Sequence, residues 1–410
     1  MPVPIQYNLR SLFYRKTATL LTLMAVTLTV GILCVLLAVA QGFKASLTGT
    51  GRVDNIIVLR SSANSEGEST LGRGDVTVLS AVPGIAKDAA GRALVCGELY
   101  AALLLEKEGA AVMGGNSTNV ALRGVQPTSF AIRDSVRITE GSCFKPGARE
   151  VVVGHSLVGR IRNCRLGGFV RIANEDWAIV GVMNAGGSAF DSEIWGDVDL
   201  LMQVFDRSFF NSVIIRAESV AGVGEPALYE GNFIGRKQVR AGAGMLGWIT
   251  DRVSGVQAVC ERTYFEKQAG FLGGFLTFAS FFLITLMSLG ALAGLTNTFL
   301  AAVSGRTREV GALLAIGYRP WQVFCGFLLE SVTLALIGGV LGVLLAWPVN
   351  GLQTGTTNWG TFTEQAFAFT IDSTVVLSAL SMALVVGVLG GALPAWRAAR
   401  LKPVDALRRG

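Results

Sequence analysis

Histidine occurs once in this 410-residue chain, as His155. A serine hydrolase relay would have to use it, yet Gly154–His155–Ser156–Leu157–Val158–Gly159 sets the second glycine one residue too late for a G-x-S-x-G elbow. A strand-to-helix turn with Ser156 near a helix start accounts for the segment better. One histidine also excludes an HExxH zinc site. No lysine follows a glycine, so the G-K-[ST] phosphate loop is missing and ATP-driven work must come from a partner. None of the six cysteines forms a CxxC or another metal-ligand spacing. Charge is also scarce: 16% of residues are charged and 51% are hydrophobic, against about a quarter charged in soluble domains. A disordered tail protein and an ordinary soluble enzyme are both excluded.

What the chain has instead is long uncharged runs. Thr17–Phe43 holds 27 residues without a charge, 268–305 holds 38, and Ser373–Trp396 holds 24. A further run beyond Arg319 is broken only by Glu330 until past Trp347. About 20 apolar residues cross a ~30 Å hydrocarbon core, so four spans are expected: 17–43, 268–303, 320–349 and 373–396. Span one is too long for a secretory signal, despite the small residues Ala38–Val39–Ala40, and reads as a retained anchor. The second run is too long for one crossing and is expected to continue as a helical stalk, beginning before Lys267.

The short flanks set the orientation. Residues 1–16 carry Arg10, Arg15 and Lys16. The 304–319 link carries Arg306, Arg308 and Arg319 against Glu309, and the 397–410 tail carries Arg397, Arg400, Lys402, Arg408 and Arg409 against Asp405. The opposite loop, 350–372, holds Glu364 and Asp372 and no base. The basic segments all fall on one face, the cytoplasmic one by the positive-inside rule. Between the first two spans, 44–267 is then external, with 24 bases and 24 acids. The net +6 of the chain is therefore a topology and lipid-surface signal, and nucleic-acid binding loses its support. Trp321, Trp347, Trp359 and Trp396 fall near span ends, where indoles favour the interface.

The external segment reads as mixed α and β. Strands are expected at Asn55–Leu59, Val120–Val125, Val151–Val153, Phe169–Ile172, Ala178–Val182 and Ser212–Ile215, and helices at Asp75–Val82, His155–Asn163 and Val198–Phe205. The Gly/Ser-rich stretch Ser61–Gly74 reads as a flexible loop. Cys96, Cys143, Cys164 and Cys260 lie in this segment, and Cys34 and Cys325 lie in spans. Four external cysteines permit three pairings in an oxidising compartment, but small unpaired core residues are the preferred reading. The fold class is thus an α+β membrane protein, with four transmembrane helices and a large mixed α/β domain between helices 1 and 2.

Within 304–319, Val310, Leu313, Leu314 and Gly317 follow i, i+3, i+4, i+7 spacing, flanked by Arg306, Thr307, Arg308 and Glu309 and passing through Gly311. Gly317 supplies a stop and Pro320 follows. This is a short amphipathic helix able to lie on a membrane surface. Glu330 is an acid about ten residues into span three. An ion pathway would need several such groups, so Glu330 is expected to reach the interface or pair with a neighbouring helix. Small-xxx-small pairs recur at Gly270/Gly274, Gly290/Gly294, Gly338/Gly342 and Gly387/Gly391, marking close helix packing within the subunit or across a dimer.

These residues resemble a known family. Arg306–Thr307–Arg308–Glu309–Val310–Gly311, Leu314–Ala315–Ile316–Gly317, Leu328–Leu329–Glu330 and Gly338–Gly339–Val340–Leu341–Gly342 look like the FtsX-type permease domain. The ending from Leu393–Pro394–Ala395 to Ala406–Leu407–Arg408 resembles that family's terminal pattern, with Trp396 in place of a frequent base and Lys402 in place of a frequent acid. Asp54–Asn55–Ile56–Ile57–Val58, Val82–Pro83–Gly84–Ile85, Leu122–Arg123–Gly124–Val125 and Val151–Val152–Val153–Gly154, leading to Val180–Gly181–Val182, resemble the MacB-type periplasmic core.

The resemblance implies a type VII ABC transporter permease subunit in a bacterial inner membrane, multi-pass, with a periplasmic domain of two subdomains. It implies a second permease copy and a separate ABC ATPase that carries the ATP and Mg, with no cofactor, metal or catalytic residue on this chain. It carries the ATPase-coupling role onto Arg306–Gly317 and admits a periplasmic adaptor and an outer-membrane channel as partners. The implied function is mechanotransmission, driving export or extraction of a lipid, lipoprotein, peptide or small molecule. The alternative is an FtsX-like module that activates periplasmic hydrolases without transport. An ion-coupled transporter is disfavoured by the lone Glu330.

Overall fold

The computed structural model describes residues 16–109, 117–225, 228–230, 237–240, 242–358 and 360–401. The readings placed on residues 1–15, on Trp359 and on Lys402–Arg408 lie outside these residues. In chain order the helices are α1 (Lys16–Thr48), α2 (Arg73–Leu79), α3 (Thr128–Ile132), α4 (Val198–Val204), α5 (Val220–Val223), α6 (Gly244–Arg252), α7 (Glu261–Ser304), α8 (Thr307–Ala315), α9 (Pro320–Ala346) and α10 (Ser373–Ala399). The strands are β1 (Asn55–Arg60), β2 (Val95–Glu106), β3 (Ser117–Val125), β4 (Arg137–Gly141), β5 (Glu150–Gly154), β6 (Phe169–Ile172), β7 (Glu175–Asn184), β8 (Glu193–Asp197), β9 (Ser212–Arg216), β10 (Leu228–Glu230), β11 (Lys237–Arg240), β12 (Val256–Cys260), β13 (Gln353–Asn358) and β14 (Thr363–Ala368). The chain divides into two compact units, one formed by 1–41, 275–352 and 369–410 and the other by 42–274 and 353–368.

The first unit is helical. Among the described residues four helices, α1, α7, α9 and α10, are long and apolar enough to cross a membrane. An apolar solvent offers the backbone no partners, and a helix satisfies its own. Their ends are set locally: Pro320 opens α9 at its first turn, where Gln322 Oε1 accepts from the Arg319 amide at 2.8 Å. The Asp372 carboxylate caps α10 by accepting from Val375 N at 2.9 Å. Glycines decide how close the backbones come. A Cβ on Gly342 would lie 2.7 Å from Thr27 O, and one on Gly338 would lie 2.9 Å from Val26 Cγ1, so this pair seats α9 on α1. A Cβ on Gly387 would lie 2.7 Å from Ala335 Cβ, which brings α10 onto α9, and Gly391 is likewise packed against Ser331. Around Gly270, Gly274, Gly290 and Gly294, by contrast, a Cβ would meet nothing within 4 Å. Exposed Phe275, Phe278, Phe281, Phe282, Leu286 and Leu289 make the outer face of α7 apolar, as a lipid-facing helix requires.

The second unit is built on one ten-stranded mixed sheet, ordered β12-β1-β9-β2-β3-β8-β5-β7-β4, with β6 also pairing β7. β1 pairs antiparallel with both β12 and β9, while β3 with β8 and β5 with β7 are the parallel pairs. Ile56, Val58, Leu122, Val153, Ile194, Val213 and Ile215 form its apolar core with Leu79, Leu246 and Ile249 from the flanking helices.

Several expectations need correction. Only His155–Leu157 forms a helical turn, a 3-10 one, where a helix to Asn163 is expected; Gly159 and Asn163 take positive φ and break the path. Ser61–Gly74 is no flexible loop, since Ser65, Glu66, Ser69 and Leu71 are buried. The 350–372 segment forms the antiparallel hairpin β13–β14, with Thr356 facing Gln365 and Asn358 facing Thr363. This hairpin belongs to the second unit, tied there by Tyr100 Oη to Thr363 Oγ1 (3.1 Å), by Ala366 N donating to Ser192 Oγ (2.8 Å) and by Lys107 to Glu364 (3.0 Å). The six cysteines are unpaired, which agrees with the preferred reading of the sequence.

Candidate functional site

Two arrangements stand out, one in each unit. In the second unit a network of charged side chains is sealed inside the domain. Arg123 on β3 is 1% exposed and uses all five of its N–H donors. Nε and Nη2 reach Glu193 on β8 at 2.8 and 2.9 Å, Nη1 and Nη2 reach Glu66 at 2.7 and 3.0 Å, and Nη1 also reaches Glu98 on β2 at 2.8 Å. Arg133, at the end of α3, pairs with Glu98 and donates from Nε to Glu261 Oε1 at 2.9 Å. Glu261 is the first residue of α7, and it also accepts from Asn55 Nδ2 at 2.8 Å.

Other polar groups complete the carboxylates: Ser212 Oγ donates to Glu66 and Trp195 Nε1 to Glu193, each at 2.7 Å. The Phe190 ring lies 5.7 Å from Arg123 Cζ and 4.8 Å from Arg133 Cζ, within cation–π range. Burial is the largest single influence on Glu66 and opposes its ionisation, but Arg123, Ser212 and Arg133 together outweigh it and hold the carboxyl below the usual carboxylate range. Burial likewise works against the charge on Arg123, while Glu193 and Glu66 raise its pKa. Burial pushes Tyr100 and Tyr264 up, so both phenols stay neutral. Buried ion pairs survive only when desolvation is offset by good geometry and full hydrogen bonding, and a guanidinium with five partners meets that condition. The network fastens β2, β3, β8, the Glu66 turn and the start of α7 together. Of its charged members the sequence singled out only Arg123, through the Leu122–Val125 resemblance.

In the first unit, α8 is the short amphipathic helix expected between spans two and three. Val310 and Gly311 are buried, and Val310 joins Val303, Val323, Phe327, Ala395 and Ala398 in one apolar cluster with Leu314 packed against it. Leu313 is half-buried, and Arg308 and Glu309 are exposed. Thr307 Oγ1 donates to Ser304 O at 2.8 Å. The helix ends in a left-handed cap at Gly317, φ +102°, with Gly317 N on Leu314 O and Tyr318 N on Leu313 O at 3.2 and 3.1 Å. That is the Schellman pattern, and it favours glycine at this position. Arg306, at the N-cap position, sends Nη1 to Glu330 Oε2 at 3.5 Å. Glu330 is buried on α9. Gly338 and Gly342 lie where α9 meets α1, and Gly387 and Gly391 where α10 meets α9, away from α8 in sequence.

Among the described residues no group of three or more His, Cys, Asp and Glu side chains is placed to hold a metal ion. An apolar four-helix set, a separately cored α/β domain and a capped amphipathic helix between the second and third long helices fit a membrane protein with one large folded domain. Residues 19–225 match the MacB-like periplasmic core domain and residues 281–403 the FtsX-like permease C-terminal domain. The chain belongs to the MacB-type family of FtsX-like ABC transporter permeases.

It is 25% identical over 422 aligned positions to the uncharacterized ABC transporter permease YknZ of Bacillus subtilis, covering 98% of both chains. It is 27% identical over 308 positions to the macrolide export ATP-binding/permease protein MacB of Hahella chejuensis, covering 72% of this chain and 43% of that protein. The chain therefore spans less than half the length of that MacB. The solved extracellular domain of YknZ aligns with 50% of this chain and 99% of its own, at 13% identity and a TM-score of 0.33.

Proposed function

We propose that this chain is the permease subunit of an ABC transporter and converts ATP hydrolysis on a separate ATPase into movement of its periplasmic domain. The single observation that carries this reading is α7. One unbroken helix of 44 residues starts at Glu261, inside the buried ionic network, and ends at Ser304, just before α8 begins at Thr307. At 1.5 Å per residue it measures about 66 Å, well beyond the ~30 Å a membrane crossing needs. A helix of this kind passes displacement along its axis, and a short capped helix at its end offers a rigid surface for an ATPase to push. In this reading Arg306–Gly317 is the docking element, the second permease copy completes a dimer, and the chain sits in the inner membrane. ATP and Mg bind the partner. The work done is export or extraction of a substrate from the outer leaflet or the periplasm.

Co-purification from native membranes tests it: an ATPase with a P-loop should accompany the chain. Charge reversal at Arg308 or Glu309, both exposed on α8, should uncouple ATP hydrolysis from function and leave membrane insertion intact. ATPase docking and function that survive both reversals would remove α8 from the mechanism. Substrate-stimulated hydrolysis by the reconstituted pair separates transport from the regulation of periplasmic hydrolases.

A further inference from the structure

A cleft of about 410 Å³ opens in the second unit, lined by Leu59, Ala63, Asn64, Gln257, Val259, Tyr264, Lys267, Gln268, Asn358 and Gly360. Its volume lies within the range of small-ligand sites. The lining comes from β1, β12, the turn after β1, the first turns of α7 and the β13–β14 hairpin, all parts of one unit. Leu59 and Gln257 are cross-strand partners. Val259, two residues from Gln257 along β12, shares their face of the sheet by strand alternation.

The chemistry of the lining is one-sided. Four carboxamides and one ammonium face apolar Leu59, Ala63 and Val259, with no acid among the lining residues. The nearby Glu266 pairs with Arg262 at 3.0 Å, and among the described residues no carboxylate pairs with Lys267. Gln268 carries a second signal. Its Oε1 accepts from Asn358 Nδ2 at 3.2 Å, while its buried Nε2 has no partner among the described residues. A buried donor left unmade is costly, and a donor on a residue that lines the same cleft as an ammonium suits an acceptor-rich anion. Gln268 and Asn358 also border a water-sized void of about 20 Å³, so the two spaces share this amide pair.

We propose that the cleft binds a short peptide through its free C-terminal carboxylate. Lys267 takes the carboxylate and Gln268 Nε2 donates to it or to the adjoining peptide carbonyl. Asn64 and Asn358, each carrying both a donor and an acceptor, pair with peptide groups, and Leu59, Ala63 and Val259 receive a small apolar side chain. The site goes beyond the ATP-coupled reading and stands without it, because binding is read on the permease alone.

The test is calorimetric titration of the full chain in detergent with N-acetyl-Ala-Val-Ala as the free acid, as its C-terminal amide, and with acetate alone. The free acid should bind at least about tenfold more tightly than the amide, and acetate should not compete at equal concentration. Lys267→Gln, on an exposed side chain, should abolish the preference, and Gln268→Met should weaken the free acid by a similar factor. Thermal unfolding of each variant checks that it is folded. No binding by the free acid, equal binding of acid and amide, competition by acetate alone, or unchanged affinity in folded Lys267→Gln or Gln268→Met would each overturn the proposal.

Discussion

Arg306 and Glu330 stand 24 positions apart in sequence, and the guanidinium at the N-cap position of α8 meets the carboxylate on α9 at 3.5 Å. Both side chains are largely shielded, 13% and 6% exposed. The acid that first suggests an ion pathway is thus an anchor for the helix assigned to ATPase docking. Removing one charge leaves the other buried, whereas removing both does not. Glu330→Leu should therefore lower the unfolding temperature in detergent more than the Arg306→Met/Glu330→Leu pair does. Additive losses in that double-mutant cycle would show that the two residues do not interact.

Arg123 is the centre of the buried network, and its geometry matters as much as its charge. Lysine keeps the charge but not the five-donor fork. Arg123→Lys should cost on the order of 3–5 kcal/mol, the range for breaking a buried pair. Denaturant unfolding followed by tryptophan fluorescence would measure it. A loss below about 1 kcal/mol would mean the fork geometry is unimportant.

Acid should weaken the same domain in a defined direction. The folded-state pKa of Glu66 lies below its ordinary 4.5 because the burial that raises it is outweighed by Arg123, Ser212 and Arg133 together. Its contribution is therefore present above pH 4.5 and is lost as pH falls through the lower folded value. The unfolding temperature should drop over that window, and Glu66→Gln, less stable at neutral pH, should show a shallower drop. Parallel curves for the two proteins would place the acid response elsewhere.

The glycine pairs make a contrast that one pair of variants can read. Gly342→Leu would drive a side chain into Thr27 O, 2.7 Å from the Cβ position, and should sharply reduce the yield of folded protein. A Cβ on Gly290 would meet nothing within 4 Å, and Gly290→Leu should leave the yield of the isolated chain unchanged. Size-exclusion chromatography in mild detergent checks both. Equal yields would deny that α9 must seat closely on α1.

The spans were legible because each stretch of membrane helix must be apolar on its own account, without help from distant sequence. The α8 helix was legible too, since its stripe and the stop at Gly317 are contained in a dozen residues. Other features were hidden. Val95–Glu106, the longest strand, carries an Ala–Ala–Leu–Leu–Leu run that reads no more like a strand than a helix. The Glu66 turn looks mobile from its serines and glycines, and it is buried because Arg123, Ser212 and Tyr264 converge on it. Nothing local announces that the 353–368 hairpin belongs with a domain that ended, in sequence, about eighty residues earlier.

From the sequence alone came whatever depends on local composition: four apolar segments, the distribution of bases on their flanks, the absence of an ATP loop, and the amphipathic stripe of α8. Tertiary structure alone decided which charges meet. Six acidic and basic side chains from six stretches of chain, Glu66, Glu98, Arg123, Arg133, Glu193 and Glu261, are brought together inside one domain. A charge's partner is set by distance in space, and hydropathy and periodicity carry no record of that distance.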